Sequence, residues 1–260
     1  MVLPSVSEGT DAKKPIIVAS TTMIGAMLQD IGGGIFDILI LIPPTSCPGH
    51  FDLRPNDIQK IRKADLIICH TYQKDLQKVL RQYIPDDRKW FLLAEQHSLA
   101  IPEYYEESSR VLLDSLIIRF PQKAAIMKTQ WNKQRVKIVN LGNEYRLKFK
   151  KGHVQQFPVL VAYRQKDFVE SLGFRVIGVF DTVDGDTMQH MISLVQKGRE
   201  YGIKAVIGNL QNGDRQAKVL SEKLGVPFIM LSNFPDLQGK DMSYEALFKT
   251  NCSKLLEILR

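Results

Sequence analysis

The chain has 260 residues, long enough for one large domain or two smaller ones, with 44% hydrophobic and 24% charged residues. No apolar run reaches the roughly 18 residues of a membrane span, and the formal net charge of +7 suits an anionic ligand or an acidic partner. No aromatic-rich RNA motif accompanies the one dense basic group, which argues against nucleic acid as a partner; that group is Arg146, Lys148, Lys150 and Lys151.

The first half of the chain alternates apolar runs with segments of helical spacing. Strands are predicted at 15–20, 36–42, 64–70 and 90–93, and helices from Thr22, from Pro55 to 63, at 75–83 and at 102–119. Thr21 and Thr22 can cap the first helix, and the glycines at 32–34 end it. This alternation is typical of a parallel sheet covered by helices.

A long segment, 122–151, separates the two halves and carries no strand signal. Its apolar residues Ile138, Leu141, Tyr145 and Phe149 recur at spacings of three and four, which predicts one helix. Beyond it, strands are predicted at 157–162, 174–180, 205–207 and 226–231, with helices at 165–172, 187–201, 213–224 and 243–259. The fold class is therefore α/β, with two parallel-sheet lobes joined by one long backbone helix.

The predicted organisation has four parts. Residues 1–14 lack a long apolar core and are expected to form a flexible leader, not a signal peptide. An N-terminal lobe at 15–121, a linking helix at 122–152 and a C-terminal lobe at 153–260 follow. We expect the single helical crossing to limit hinge opening between the lobes.

Three cysteines, Cys47, Cys69 and Cys252, do not make a disulfide framework. Cys69 lies in the apolar run DLIIC and Cys252 in the last helix, so both are expected to be structural. Cys47 instead lies in the loop TSCPGHFDLRPND, which follows a predicted strand and also contains His50. A loop at the end of a strand is where an α/β protein places its ligand, and these side chains suit transition metals.

Several stretches resemble the metal receptors that serve ABC importers. VASTTMIGAMLQDIGG is similar to their first strand and helix, and LIPPTSCPGHFDLRPNDIQKIRKADLIICH to their ligand loop, next helix and next strand. HSLAIPEYYEESSRVL resembles their second ligand segment, in which a histidine precedes a proline by five positions. SLGFRVIGVF and the region from 202 to 231 resemble the second lobe more loosely.

The resemblance implies a metal site with altered ligands. The ligand loop usually reads Asp-Pro-His, but here Cys47, Pro48 and Gly49 occupy those places and His50 is one step later. His97 matches the second ligand. The third and fourth ligands fall at Ala162 and Ser232, which cannot replace them. The resemblance therefore implies zinc, manganese or iron as the metal, with His50, His97 and Cys47 as its ligands.

Other polar residues follow the predicted strands and are candidates for lining the cleft. His70 ends the third strand and is predicted to line the site rather than to bind metal directly. Arg164 is costly beside a bare dication, since unit charges 4 Å apart interact by roughly 4 kcal/mol at an effective dielectric near 20. The predicted ligand-binding residues are His70, Tyr163, Arg164, Asn209, Ser232 and Asn233.

The predicted function is a solute-binding receptor of an ABC importer that captures a transition metal ion, free or chelated, and that is not an enzyme. The resemblance implies a monomer, an ABC permease as partner, and a periplasmic or extracytoplasmic membrane-anchored location, with the signal segment not present in this chain. One alternative is a receptor for a metal-containing cofactor or organic anion. Another is a hydrolase with Cys47 as nucleophile and His50, His70 or His97 as base. No GxxxxGK[ST] or GxGxxG motif is present.

Overall fold

The computed structural model describes residues 13–46, 53, 55–181, 185–236 and 242–259. Within them, eight parallel strands form two sheets of four, ordered β2-β1-β3-β4 and β6-β5-β7-β8. The strands are β1 (Ile16–Ala19), β2 (Asp37–Ile40), β3 (Leu66–His70), β4 (Trp90–Leu93), β5 (Pro158–Ala162), β6 (Arg175–Phe180), β7 (Ala205–Asn209) and β8 (Phe228–Leu231). The prediction of two four-stranded α/β lobes is confirmed.

Nine α-helices are described, and they cover the sheets and join the lobes. They are α1 (Thr22–Gly32), α2 (Pro55–Ile61), α3 (Lys74–Arg81), α4 (Pro102–Arg119), α5 (Ala124–Lys151), α6 (Lys166–Ser171), α7 (Met188–Glu200), α8 (Arg215–Leu224) and α9 (Tyr244–Glu257). Short 3-10 turns at Tyr163–Gln165 and Leu210–Asn212 follow β5 and β7. No described helix is long and apolar enough to cross a bilayer.

Local signals in the sequence determine where α1 begins and ends. The hydroxyl of Thr21 accepts a hydrogen bond from the backbone N–H of Ile24 at 3.4 Å and so caps the helix. The helix ends at Gly32 and is capped by Gly33, whose φ of 55° lies in the left-handed region that glycine adopts without strain. The cap places Thr21 directly beyond the carboxyl end of β1.

Helix α5 is 28 residues long and packs into both lobes. Its buried side chains fall on one face: Met127, Trp131, Ile138, Leu141, Tyr145 and Phe149. They belong to one continuous core that includes Ile68 of the first sheet and Val161 of the second. The hydrophobic core is therefore continuous from one lobe to the other along this helix.

A second contact joins the lobes beside α5. The rings of Tyr105 on α4 and Tyr244 on α9 stack with centroids 3.8 Å apart, and both side chains are buried. The Tyr244 hydroxyl donates to the carbonyl of Ala100 at 2.7 Å, and the Tyr105 hydroxyl donates to Asp30 at 2.7 Å. These contacts connect α9 of the second lobe to the first lobe on the side of α5.

Candidate functional site

The carboxyl ends of the two sheets face each other across a cleft. Gln211, which follows β7, donates from Nε2 to the carbonyl oxygen of Pro44, which follows β2, at 2.7 Å. Ligands of open α/β sheets bind at the carboxyl ends of the strands. The cleft residues are therefore those that follow β1, β2, β3 and β4 in the first lobe and β5, β7 and β8 in the second.

In the first lobe, His70 is fully buried and both of its ring nitrogens have partners. Nδ1 contacts the Glu95 carboxylate, and Nε2 lies 2.8 Å from the hydroxyl of Thr21. A ring that donates from Nδ1 to the Glu95 carboxylate accepts at Nε2 from the hydroxyl of Thr21. Both nitrogens of the His70 ring are therefore engaged by side chains of the protein, and its role in lining the site stays a prediction.

The side chain of Gln73 connects the ends of β1 and β3. Its Oε1 accepts from the hydroxyl of Ser20 at 2.6 Å and from the backbone N–H of His70 at 2.9 Å. Gln73 is 3% exposed, and neither its Nε2 nor the buried hydroxyl of Thr22 has a partner among the described residues. The first lobe therefore has two buried polar groups near the ends of β1 and β3 that are without a hydrogen-bond partner among the described residues.

His97 has a very different environment from His70. It is exposed, and its ring stacks on Tyr104 with centroids 4.1 Å apart. It lines a groove of about 560 Å³ between the lobes, together with Glu103 and Arg146 on one side and Asp167 and Glu170 of α6 on the other. Its ring nitrogens make no hydrogen bond to the described residues, so this imidazole is free to take a ligand.

Cys47 and His50 lie outside the described residues, and their predicted role as metal ligands stays a prediction. In the part of the chain that the structure describes, no group of three or more His, Cys, Asp or Glu side chains is placed to hold a metal ion. Cys69 and Cys252 are buried free thiols, as predicted.

The second lobe presents a network of neutral amides. Gln165 donates from Nε2 to the Oδ1 atoms of Asn209 at 2.9 Å and Asn233 at 2.8 Å. Asn233 donates in turn to Asn209 Oδ1 at 2.9 Å, and Asn209 donates to Asn212 at 2.9 Å. Gln165 and Asn209 are fully buried. The network gives this wall of the cleft a fixed shape without any charge.

The two positions where the resemblance places metal ligands cannot serve a metal here. Ala162 is buried and has no donor atom. The Ser232 hydroxyl accepts from Gln211 Nε2 at 3.0 Å and donates to the carbonyl of Phe234 at 2.9 Å. A neutral hydroxyl already held by two groups does not replace a carboxylate. The second lobe therefore lacks the acidic or imidazole donors of a shared dication site at these positions.

Tyr163 and Arg164 lie at the edge of this wall, on the turn after β5. Both are exposed, and the Arg164 guanidinium carbon lies 5.8 Å from the centroid of the Tyr163 ring. No ion pair of Arg164 occurs among the described residues. Within the described part of the chain its charge is therefore not neutralised, which is consistent with an anionic group on the ligand.

Two residues that position the site, Glu95 and Gln211, were not among the predicted ones, whereas Gln165 was expected to line the cleft with Tyr163 and Arg164. Glu95 follows β4 by two residues, and a carboxylate just beyond a strand end was the available signal for it. Gln165 and Gln211 follow β5 and β7 on short turns, in the same relation to their sheet. Amides at strand ends are too common for sequence reasoning to separate them from ordinary loop residues.

The chain matches the family model described as "Zinc-uptake complex component A periplasmic" over residues 17–258. It belongs to this family. The resemblance to the metal receptors of ABC importers is thereby confirmed.

Solved structures related to this zinc-uptake family superpose on nearly the whole chain. A crystal structure of ZnuA aligns with a TM-score of 0.79 at 13% identity, covering 95% of this chain and 100% of that one. The periplasmic zinc-binding protein TroA from Treponema pallidum aligns at 0.80 and 15%, covering 95% and 99%. A Mn-bound periplasmic metal-binding protein from Candidatus Liberibacter asiaticus aligns at 0.77 and 16%, covering 95% and 100%. At these identities the superpositions establish the fold.

A curated relative matches a shorter part of the chain. The uncharacterized protein RP014 of Rickettsia prowazekii (strain Madrid E) is 38% identical over 66 residues, which is 25% of this chain. The match spans about a fifth of that relative's length, 22%. It therefore says nothing about what the whole protein binds.

Proposed function

We propose that the chain is the solute-binding receptor of an ABC importer and that it captures a transition metal ion, free or chelated, between its two lobes. The observation that carries the proposal is the exposed His97 in a groove between the lobes, and the bond from Gln211 to Pro44, where the strand ends of the two lobes meet, supports it. Family membership supports it. Solved relatives bind zinc, manganese or cadmium, and these metals together with iron define the range of candidate cargo.

The two lobes have different parts in this proposal. His97, with Cys47 and His50 from the loop outside the described residues, supplies three soft or borderline donors from the first lobe. The second lobe closes on the remainder of the ligand with its amide wall, formed by Asn209, Asn233 and Ser232, and with Tyr163 and Arg164. Because these groups are neutral or positive, they suit an anionic or carbonyl-rich chelator better than a bare dication.

The receptor proposal also includes a partner, an oligomeric state and a cellular location. We propose an ABC permease as the partner, a monomeric receptor, and a periplasmic setting in line with the family description. A receptor for a metal-containing cofactor or organic anion without direct metal ligation remains the alternative within this class. Arg164, exposed and without a described ion pair, is the observation that favours it.

The structure supplies a carboxylate that could orient a base for the hydrolase alternative, but the hydroxyl nearest to that base is not an accessible nucleophile. Glu95 orients His70, and the hydroxyl at the other end of this chain of contacts belongs to Thr21. Thr21 is 1% exposed and already caps α1, so its oxygen is not accessible to a substrate. A base is useful only within hydrogen-bond reach of the proton that it removes. We therefore propose a binding protein rather than an enzyme.

Equilibrium dialysis against zinc, manganese and iron(II), followed by elemental analysis, tests the proposal. Stoichiometric retention of one metal by the wild-type protein, reduced in Cys47→Ser, is the expected result. Absence of retained metal combined with tight binding of metal citrate would favour the organic-anion alternative. Hydrolysis of an ester that depends on Cys47, with no retained metal, would contradict the receptor proposal.

A further inference from the structure

The net positive charge of the chain is concentrated on one helix. Of the 28 residues of α5, eight are lysine or arginine and one, Glu144, is acidic, which gives this helix a formal charge of +7. The whole chain also carries +7, so the remaining residues contain equal numbers of basic and acidic side chains. The net charge of the protein is therefore that of α5.

Most of the basic side chains of α5 make no ion pair with a described residue. Arg146 pairs with Glu103, Arg135 pairs with Glu106 at 3.1 Å, and Lys148 pairs with Glu144 at 2.6 Å. Five lysines make no ion pair with any residue that the structure describes: Lys128, Lys133, Lys137, Lys150 and Lys151. Lysines near a helix C-terminus are favourable to the helix dipole, but Lys128, Lys133 and Lys137 lie in its first half, where the dipole does not favour a cation.

The unpaired lysines flank a narrow apolar line on the solvent face of α5. Val136 and Leu147 are 54% and 59% exposed, and eleven residues place them three turns apart on the same side of the helix. Lys133 precedes Val136 by three positions, and Lys150 and Lys151 follow Leu147 by three and four. The result is a nearly straight stripe about 27 Å long, at 1.5 Å of helix rise per residue.

We propose that this face of α5 is a docking surface for an anionic phospholipid membrane. Its lysines are point charges spread along a straight line, without the planar guanidinium groups that match defined carboxylates. Such a line suits a planar array of mobile phosphate headgroups better than a compact acidic pocket on a protein. The exposed Val136 and Leu147 side chains enter the headgroup boundary between the charges. The surface holds the receptor near the membrane independently of what occupies its cleft.

Sedimentation with vesicles tests this surface. The full chain is mixed with vesicles of phosphatidylcholine alone, or of phosphatidylcholine with phosphatidylglycerol, at low and high salt. We expect binding only to the anionic vesicles, and we expect salt to weaken it because the Debye length falls to about 10 Å at 0.1 M. Each lysine near an anionic surface contributes about a fivefold factor in partitioning. The triple variant Lys133→Gln, Lys150→Gln, Lys151→Gln should therefore lose binding roughly a hundredfold.

A matched control separates the stripe from total charge. The triple variant Lys197→Gln, Lys218→Gln, Lys223→Gln removes the same charge from exposed sites on α7 and α8, two of them in a last helical turn. It should bind anionic vesicles almost as the wild type does. Equal loss in both triple variants, or equal binding to neutral vesicles, would overturn the proposal. Absence of binding to anionic vesicles at low salt would also overturn it and leave an acidic protein as the partner that fits the face.

Discussion

Gln211 in the second lobe and Pro44 in the first are joined by a hydrogen bond of 2.7 Å that spans the cleft. The amide of Gln211 is positioned within its own lobe, since its Oε1 accepts from the backbone N–H of Asn233 at 3.1 Å and its Nε2 also donates to Ser232 at 3.0 Å. The amide of Gln211 is therefore held in place by its own lobe, independently of its bond to Pro44. Pro44 lies at the start of the loop that holds Cys47 and His50, so this bond connects lobe closure to the predicted ligand loop.

Replacing Gln211 with alanine should loosen that loop. One hydrogen bond is worth about 0.5–1.5 kcal/mol, so the closed contact should lose roughly two- to tenfold in population. Hydrogen–deuterium exchange at the backbone amides of Thr45 and Ser46 should rise by that factor. Gln189→Ala, the same change at an exposed position of α7, should leave the exchange unaltered. Unchanged exchange in Gln211→Ala would show that the contact does not close the cleft.

The stacked pair Tyr105 and Tyr244 should stabilise the junction on the α5 side. Tyr244→Phe keeps the ring but removes the 2.7 Å bond to the buried carbonyl of Ala100. Leaving a buried acceptor unpaired costs about 1–3 kcal/mol, which urea unfolding would measure. Tyr201→Phe, at a ring that is 44% exposed, is the control and should change stability by less than about 0.5 kcal/mol. Equal effects of the two substitutions would contradict a role for the bond.

Stability should depend on pH through Asp30. Burial raises the pKa of this carboxyl from 3.8 to about 6, against the lowering effect of the Tyr105 hydroxyl bond. The folded state therefore holds a proton that the unfolded chain releases, and the free energy of unfolding falls as pH rises from about 4 to 6. The size of this fall is on the order of 2 to 3 kcal/mol.

Urea unfolding of Asp30→Asn across this pH window tests the assignment. The variant cannot titrate and still offers an oxygen to Tyr105, so its stability should fall less between pH 4 and 6. Some slope remains, because burial also raises the pKa of Asp181 to about 6. The exposed Asp114→Asn should keep the wild-type slope. A wild-type slope in Asp30→Asn would mean that this carboxyl titrates normally.

The architecture was predictable because each element carries its own periodic signal. Helix α4 was predicted at 102–119 and is found at Pro102–Arg119, since Pro102 starts it and apolar spacing continues to its end. The long helix was predicted at 122–151 and is found at Ala124–Lys151. The spacing of apolar residues and the capping residues determine where such helices begin and end. The alternation of helices with strands determines the layered α/β architecture.

The site was less predictable because its bonds join residues far apart in sequence. His70 and Glu95 meet only because β3 and β4 are neighbours in the sheet. Gln165 reaches Asn209 and Asn233 across three strand ends, and Gln211 reaches another lobe. No short pattern records these pairings. The prediction that His97 is a ligand rests on its spacing to Pro102 and not on any feature of its surroundings.

Arg164 should distinguish a chelated ligand from a bare ion. Arg164→Ala should weaken binding of citrate-chelated iron(III) by about 1.5–3 kcal/mol, roughly ten- to a hundredfold, and leave the affinity for bare zinc unchanged or slightly higher. Isothermal titration with both ligands measures this. Arg175→Ala is a close control, since its guanidinium also lies over an exposed tyrosine ring, that of Tyr201 at 5.5 Å. Loss of zinc binding in Arg164→Ala would contradict the anionic-ligand proposal.

Isothermal titration of wild type and His97→Ala with zinc, manganese and iron(II) tests the metal-receptor proposal most directly. His97 is the exposed imidazole of the interlobe groove, so its removal should weaken binding of the cognate metal at least about tenfold. Wild-type affinity should also fall at acid pH as histidines take up protons. His153→Asn, which removes an exposed imidazole at a left-handed backbone position that asparagine tolerates, should bind like the wild type. Equal metal affinity in wild type and His97→Ala would contradict the account.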